Sequence, residues 1–155
     1  MNHVVYRKLP YDLMRDLTPV TQLISVPNML VVHPSLPAKN VKEFVALGAA
    51  QPGKIVYGSS GSGSFVHLGM ALLNAMTQTK MVHVPFRGSA DAAKEVASGN
   101  IHFTLATQAS VASFVDAGLV RMIAVAAPRR LSTLPDVPTT AEAGMPGVEL
   151  SNWFA

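Results

Sequence analysis

Gly58-Ser59-Ser60-Gly61-Ser62-Gly63-Ser64 is the stretch of this chain whose residue types lend themselves most directly to chemistry. Its glycines let the backbone approach a ligand closely. The stretch that follows carries Leu68, Leu72, Leu73 and Met76 and predicts a helix, whose free N–H groups and positive dipole end face the loop. Such a place favours phosphate, sulfate or carboxylate, and Ser59, Ser60, Ser62 and Ser64 add hydroxyl donors. The plainer reading is a connection whose serines only cap the helix. Two sharper motifs fail. A Walker A loop needs Lys and then Ser/Thr after its second key glycine, where this chain has Ser64 and Phe65. A hydrolase nucleophile elbow needs Gly-x-Ser-x-Gly, and Gly58-Ser59-Ser60-Gly61-Ser62 lacks the last glycine.

A second loop, Pro85-Phe86-Arg87-Gly88-Ser89, places Arg87 between a predicted strand end and a predicted helix cap. Its planar fork suits a carboxylate, and a solvated arginine beside a helix start is the competing reading. A third loop, Ala106-Thr107-Gln108-Ala109-Ser110, offers neutral donors only. The histidines are His3, His33, His67, His83 and His102, and no pair has the i, i+4 spacing of a helical metal site. His67 lies one turn beyond Ser64, placed either to face the loop or to be buried and hydrogen-bonded. Asp91 and Glu95 share a helix face that reads as solvated surface, and no paired carboxylates stand at the predicted strand ends. An enzyme of this type would put an acid, a base or a nucleophile there. The pattern therefore points to binding without chemistry. The candidate ligand-binding residues are Ser59, Ser60, Gly61, Ser62, Gly63, Ser64, Arg87, Gly88, Ser89 and Thr107. No catalytic residue, metal or cofactor is expected. The competing function is a small α/β enzyme or nucleotide-binding protein that uses the serine-glycine loop.

These loops need elements to hold them. The sequence has 155 residues, of which 49% are hydrophobic and 14% charged. Ordinary globular chains carry about 25% charged residues, so this is a core-forming chain with a charge-poor surface. The net charge is +3, with the basic residues scattered, which does not suit a nucleic-acid reader. Without cysteine there are no disulfides and no Cys-ligated metal. No run reaches the roughly 18 apolar residues of a membrane span, and residues 1–8 lack the apolar region of a secretory signal. Short apolar runs at 29–33, 55–57, 81–84, 101–105 and 122–126 alternate with helical stretches. Asn40 with Glu43 predicts a capping box for one helix, and Ser89 is the expected cap of another. Alternation of this kind predicts βαβ units, and unbroken apolar runs predict strands buried on both faces. The expected fold class is therefore α/β, a parallel sheet flanked by helices, with ligands beyond the carboxyl ends of its strands. Residues 29–127 form the expected ligand-binding lobe. Segments 1–28 and 128–155 are proline-rich and read as connecting pieces.

Several runs carry a resemblance. They are Leu9-Pro10-Tyr11-Asp12 with Asp16-Leu17-Thr18-Pro19-Val20-Thr21, Asn28-Met29-Leu30-Val31-Val32 with Pro34-Ser35-Leu36-Pro37-Ala38, Gly61 to Leu68, Val82 to Ser89, and Leu134-Pro135-Asp136-Val137-Pro138-Thr139-Thr140-Ala141-Glu142-Ala143-Gly144. In this order they closely resemble the substrate-binding receptors of the tripartite tricarboxylate transporter system, the Bordetella uptake gene family. The resemblance implies a periplasmic, two-lobed receptor of the periplasmic binding protein-like (type II) fold. Such a receptor closes on a small carboxylate, held by backbone amides, helix starts and waters, and presents it to a membrane permease. Members begin with a signal peptide and a long first lobe. This chain is therefore expected to be the second lobe with its crossing segments, 1–28 arriving from the missing first lobe and 128–155 returning to it. A fragment, a truncated reading frame or a decayed gene would give such a chain, cytoplasmic if expressed as given. Exposed lobe edges would favour a homo-oligomer. Where the family often carries Asp-Asn, this chain has Ala106-Thr107, so no contact through that acid is implied.

Overall fold

The structure, a computed structural model, describes residues 7–154; His3 and the first six residues of the segment 1–28 lie outside it. The elements are α1 (Leu13–Asp16), β1 (Ile24–Val32), α2 (Val41–Ala50), β2 (Val56–Ser59), α3 (Phe65–Thr77), β3 (Val82–Pro85), α4 (Ser89–Ala97), β4 (Phe103–Thr107), α5 (Gln108–Asp116), β5 (Arg121–Val125) and β6 (Ser151–Phe154). Local signals set their ends. Asn40 Oδ1 accepts the Glu43 N–H at 3.0 Å, and the Glu43 carboxylate reaches back to the Lys39 N–H at 2.7 Å, so α2 starts as its capping pair predicts.

The sheet order is β3-β2-β4-β1-β5, with β6 paired to the outer half of β1. β2 runs parallel to β3 and β4, whereas β1 is antiparallel to both β4 and β5. The α/β class and the flanking helices are as expected, but a uniformly parallel sheet is not. The reason is that an unbroken apolar run reports burial on two faces and says nothing about direction. β2 to β5 are joined by the crossover helices α3, α4 and α5 and all climb to the same edge. β1 arrives at that edge from a two-stranded ribbon with β6, where Ile24 opposes Phe154 and Pro27 opposes Ser151, and must therefore run down. β3 is also less buried than expected, because it is an edge strand whose Val82 is 40% exposed.

Alternation along β1 feeds two cores. Leu30 and Val32 pack on one face with Phe44 of α2, Met70 and Leu73 of α3, and Tyr57 and Phe103. Met29 and Val31 pack on the other with Ala93 and Val96 of α4 and Val111 of α5. Burying a side chain of this size contributes about 1.5–3 kcal/mol. The sheet is thus covered on both sides, which leaves its loop edge as the place for polar groups. The segment after β5 closes back on the sheet. Buried Asn28 joins it through its Nδ2, which donates to the Leu150 carbonyl at 3.1 Å, and the Ala126 N–H donates to the Asn28 carbonyl at 2.8 Å.

Candidate anion-binding edge

β2, β3 and β4 end at Ser59, Pro85 and Thr107, and α3, α4 and α5 begin just beyond them. Three helix amino ends therefore share one sheet edge. The first two loops are tied together, because the Phe86 N–H donates to the Ser59 carbonyl at 2.8 Å.

The serine-glycine loop is built by its own residues. Ser59 is 1% exposed, and its hydroxyl donates to the Gly61 carbonyl at 3.0 Å and accepts the Gly61 N–H at 3.2 Å. His83 Nε2 lies 2.6 Å from the same oxygen. Ser64 is the N-cap of α3, accepting the His67 N–H at 3.3 Å. The Gly63 N–H donates to His67 Nδ1 at 2.9 Å. Gly61 and Gly63 adopt φ of 117° and 77°, the region that favours glycine. The rings of His67 and His83 stack with centroids 3.9 Å apart, and Tyr57 lies 5.1 Å from His83. Burial, and then the neighbouring His67, push the His83 imidazole below its ordinary pKa.

The expected site residues thus divide by what they have left to offer. Ser59, Gly61, Gly63 and Ser64 spend hydrogen-bonding groups on shaping the loop. Ser60, Ser62, Arg87 and Ser89 are exposed, and their side chains have no hydrogen-bond partner among the described residues. Ser89 is not the cap of α4: that position is Gly88, which has no side chain to bond the first turn, so the opening N–H groups of this helix stay uncapped. α5 also starts without a side-chain cap. Its Thr107 donates instead to Ser110 Oγ at 3.2 Å. Thr107 stands on β4, the strand next to β2, and opposes Asn28.

Sequence reasoning missed two participants at this edge. One is Asn28, hidden inside an apolar run. The other is His83, whose contact with Ser59 spans two strands and leaves no local signal; only its place beside Pro85 hinted at the edge. The Arg129-Arg130 pair is adjacent in the sequence, which does not reveal where it sits. With Ser25, Ser132 and Ser151 it lines a depression on the β5 side, where Arg130 is already ion-paired to Glu142 at 2.9 Å.

Ser59 Oγ and His83 Nε2 stand at a nucleophile–base distance of 2.6 Å. The serine is buried, its hydroxyl also contacts Gly61, and no carboxylate among the described residues hydrogen-bonds His83. Among the described residues there is also no group of three His, Asp or Glu placed to hold a metal ion, and no helix long and apolar enough to cross a membrane.

An α/β sheet with its loops gathered on one edge and a strand pair leaving from it is the lobe architecture of periplasmic binding proteins. The profile of the Tripartite tricarboxylate transporter family receptor matches residues 1–155, and the chain belongs to this family. The chain is 34% identical over 149 residues to a UPF0065 protein in the tcbD-tcbE intergenic region of Pseudomonas sp. strain P51, covering 96% of this chain and 44% of that protein. It is 30% identical over 147 residues to protein BugT of Bordetella pertussis, covering 95% and 45%. Among solved structures it is similar to R. palustris Rpa4515 with adipate, with 37% identity and a TM-score of 0.86 over 97% of this chain and 50% of that one. It is also similar to MatC from Rhodopseudomonas palustris with bound malate, with 28% identity and a TM-score of 0.87 over 98% and 52%. The chain thus spans about half the length of the relatives it matches.

Proposed function

We propose that this chain is a ligand-holding lobe of a solute-binding receptor that takes a small organic carboxylate at the loop edge. In the periplasm it hands the carboxylate to the membrane permease of a tripartite tricarboxylate-type transporter. Residues 29–127 hold the ligand, and 1–28 and 128–155 cross toward a second lobe. The observation that carries the reading is the convergence of three helix amino ends on one edge, two of them uncapped, beside the unspent donors of Ser60, Ser62, Arg87 and Ser89. Free N–H groups and the positive dipole end favour an anion there, and a guanidinium fork matches a carboxylate. Gly88 and Thr107 complete the site through their backbones at the starts of α4 and α5. The adipate and malate bound by the R. palustris relatives support a carboxylate as the ligand class.

A single lobe supplies only part of the hydrogen bonds that closure would provide. Each charged hydrogen bond contributes about 1.5–3 kcal/mol, so losing two or three weakens binding on the order of a hundredfold or more. The purified chain is therefore expected to bind malate, adipate or succinate in roughly the millimolar range and to turn nothing over. Calorimetry with these acids, and with ATP as a contrast, tests this. Stabilisation by ATP alone, or hydrolysis of any ligand, would sink the reading.

A further inference from the structure

The stacked imidazoles of His67 and His83 do more than pack. Hydrogen bonding constrains the protonation of His67. His67 Nδ1 accepts the Gly63 N–H, so it carries a lone pair, and the ring is neutral with its proton on Nε2. The Ser59 hydroxyl lies 3.0 Å from the Gly61 carbonyl and 2.6 Å from His83 Nε2, so its single proton serves one of the two. The loop in this shape requires a neutral His67. A proton on Nδ1 would set one N–H against another across 2.9 Å, and the two must part. What parting leaves is an amide and an imidazolium facing each other at the start of α3. An anionic oxygen at about 2.9 Å from each would satisfy both.

We infer that the His67–His83 pair couples anion binding at the Gly61–Ser64 loop to the uptake of one proton, held on His67 Nδ1 and facing the anion across the opened Gly63–His67 contact. The inference rests on the reading that this loop holds a carboxylate. The count is one because two imidazolium rings stacked at 3.9 Å repel each other. The proton belongs on His67, because its Nδ1 is the lone pair that the Gly63 N–H faces at the start of α3. Among the described residues, no acidic or basic side chain forms an ion pair with either ring. α3 has no acidic residue in its first turn and no basic residue in its last. Tyr57 of β2 is pushed up by burial and stays neutral. Arg87 and Asp91 at the start of α4, and Glu149 beside the Leu150 that packs on Gly69 of α3, form no ion pair with either ring.

The test is calorimetry of the full chain with malate in two buffers of unlike ionisation enthalpy, between about pH 6 and about pH 8, above the range where carboxylates titrate. The expected result is uptake approaching one proton per malate, with affinity rising toward acid by up to roughly tenfold per pH unit. His67→Gln keeps an acceptor for the Gly63 N–H but cannot take a proton, and is expected to flatten that dependence. Heat that does not depend on the buffer, with malate still bound, overturns the coupling and leaves the proposed function standing. If no carboxylate binds at any pH, the proposed function fails, and NMR of the free chain decides what remains. A Gly63 amide signal that moves in step with the His67 ring nitrogens supports the proton-opened loop, and one that stays fixed while His67 titrates overturns it.

Discussion

At Gly61 a φ of 117° excludes other residues on conformational grounds, since a Cβ there would meet nothing closer than the Phe86 carbonyl at 3.8 Å. Gly58 is a glycine for the opposite reason. A Cβ would come within 2.7 Å of Ile101 Cδ1 and 2.9 Å of the Ala92 Cβ. Gly61→Ala is expected to cost about 1–3 kcal/mol through backbone strain, and Gly58→Val about 1–3 kcal/mol through overpacking. Gly88→Ala, with extended backbone and nothing within 4 Å of its Cβ, meets neither strain nor crowding, so only alanine's poorer N-cap preference is felt and its loss in urea unfolding should be the smallest of the three, about 0.5 kcal/mol. A common loss at all three positions would count against this division. The sequence showed that the loop needed glycines but read them as room for a ligand. The contacts that demand Gly58 come from β3–α4 and Ile101, distant in the chain and silent in any local pattern. His83 adds a pH signature. Its folded pKa lies below the unfolded value near 6.5, so the unfolded chain binds more protons in the window just below about pH 6.5. Stability from this group is full above that pH and is lost as pH falls through the window. His83→Gln should make the unfolding free energy less steep there, and an unaltered slope would show that His83 is not the cause.

Among the helices, the caps sort by role. α2, remote from the loop edge, has the Asn40–Glu43 pair, and Asn40→Ala is expected to lower stability by about 1 kcal/mol. α4 starts at Gly88 with no side-chain cap. Gly88→Asp should stabilise the fold by a few tenths of a kcal/mol, yet weaken carboxylate binding by placing an acceptor and a negative charge where the anion sits. Thermal melts and calorimetry on one variant read both effects. Carboxylate binding that survives intact would argue that α4 does not face the ligand. The elements themselves were legible. Asn40 and Glu43 announced α2. The direction of β1 was not, because Met29-Leu30-Val31-Val32 would read the same running either way. Only the later arrival of β4 and β5 on its two sides decides it.

At the scale of the molecule, exposed apolar side chains among the described residues gather at the β1–β6 ribbon. Leu23 is 77% exposed, Ile24 53%, Trp153 66% and Phe154 59%. Such edges recruit other chains, so light scattering of the isolated chain is expected to show species beyond the monomer. Ile24→Thr with Trp153→Ser should shift them toward monomer, and a clean wild-type monomer at high concentration would contradict this. The central place of β1 has a further consequence for how the chain is made. Thr107 and Val125, the residues opposite Asn28 and Met29, leave the ribosome roughly eighty and a hundred residues later, a delay of about five to twenty seconds at ordinary elongation rates. For that time the most apolar strand of the protein has no sheet to join, and β2, β3 and β4 can assemble without it. Synthesis should therefore pass through a stage in which a finished β1 waits for the strands that will flank it. A nascent chain stalled before β5 should hold a chaperone that one stalled after Leu150 has released.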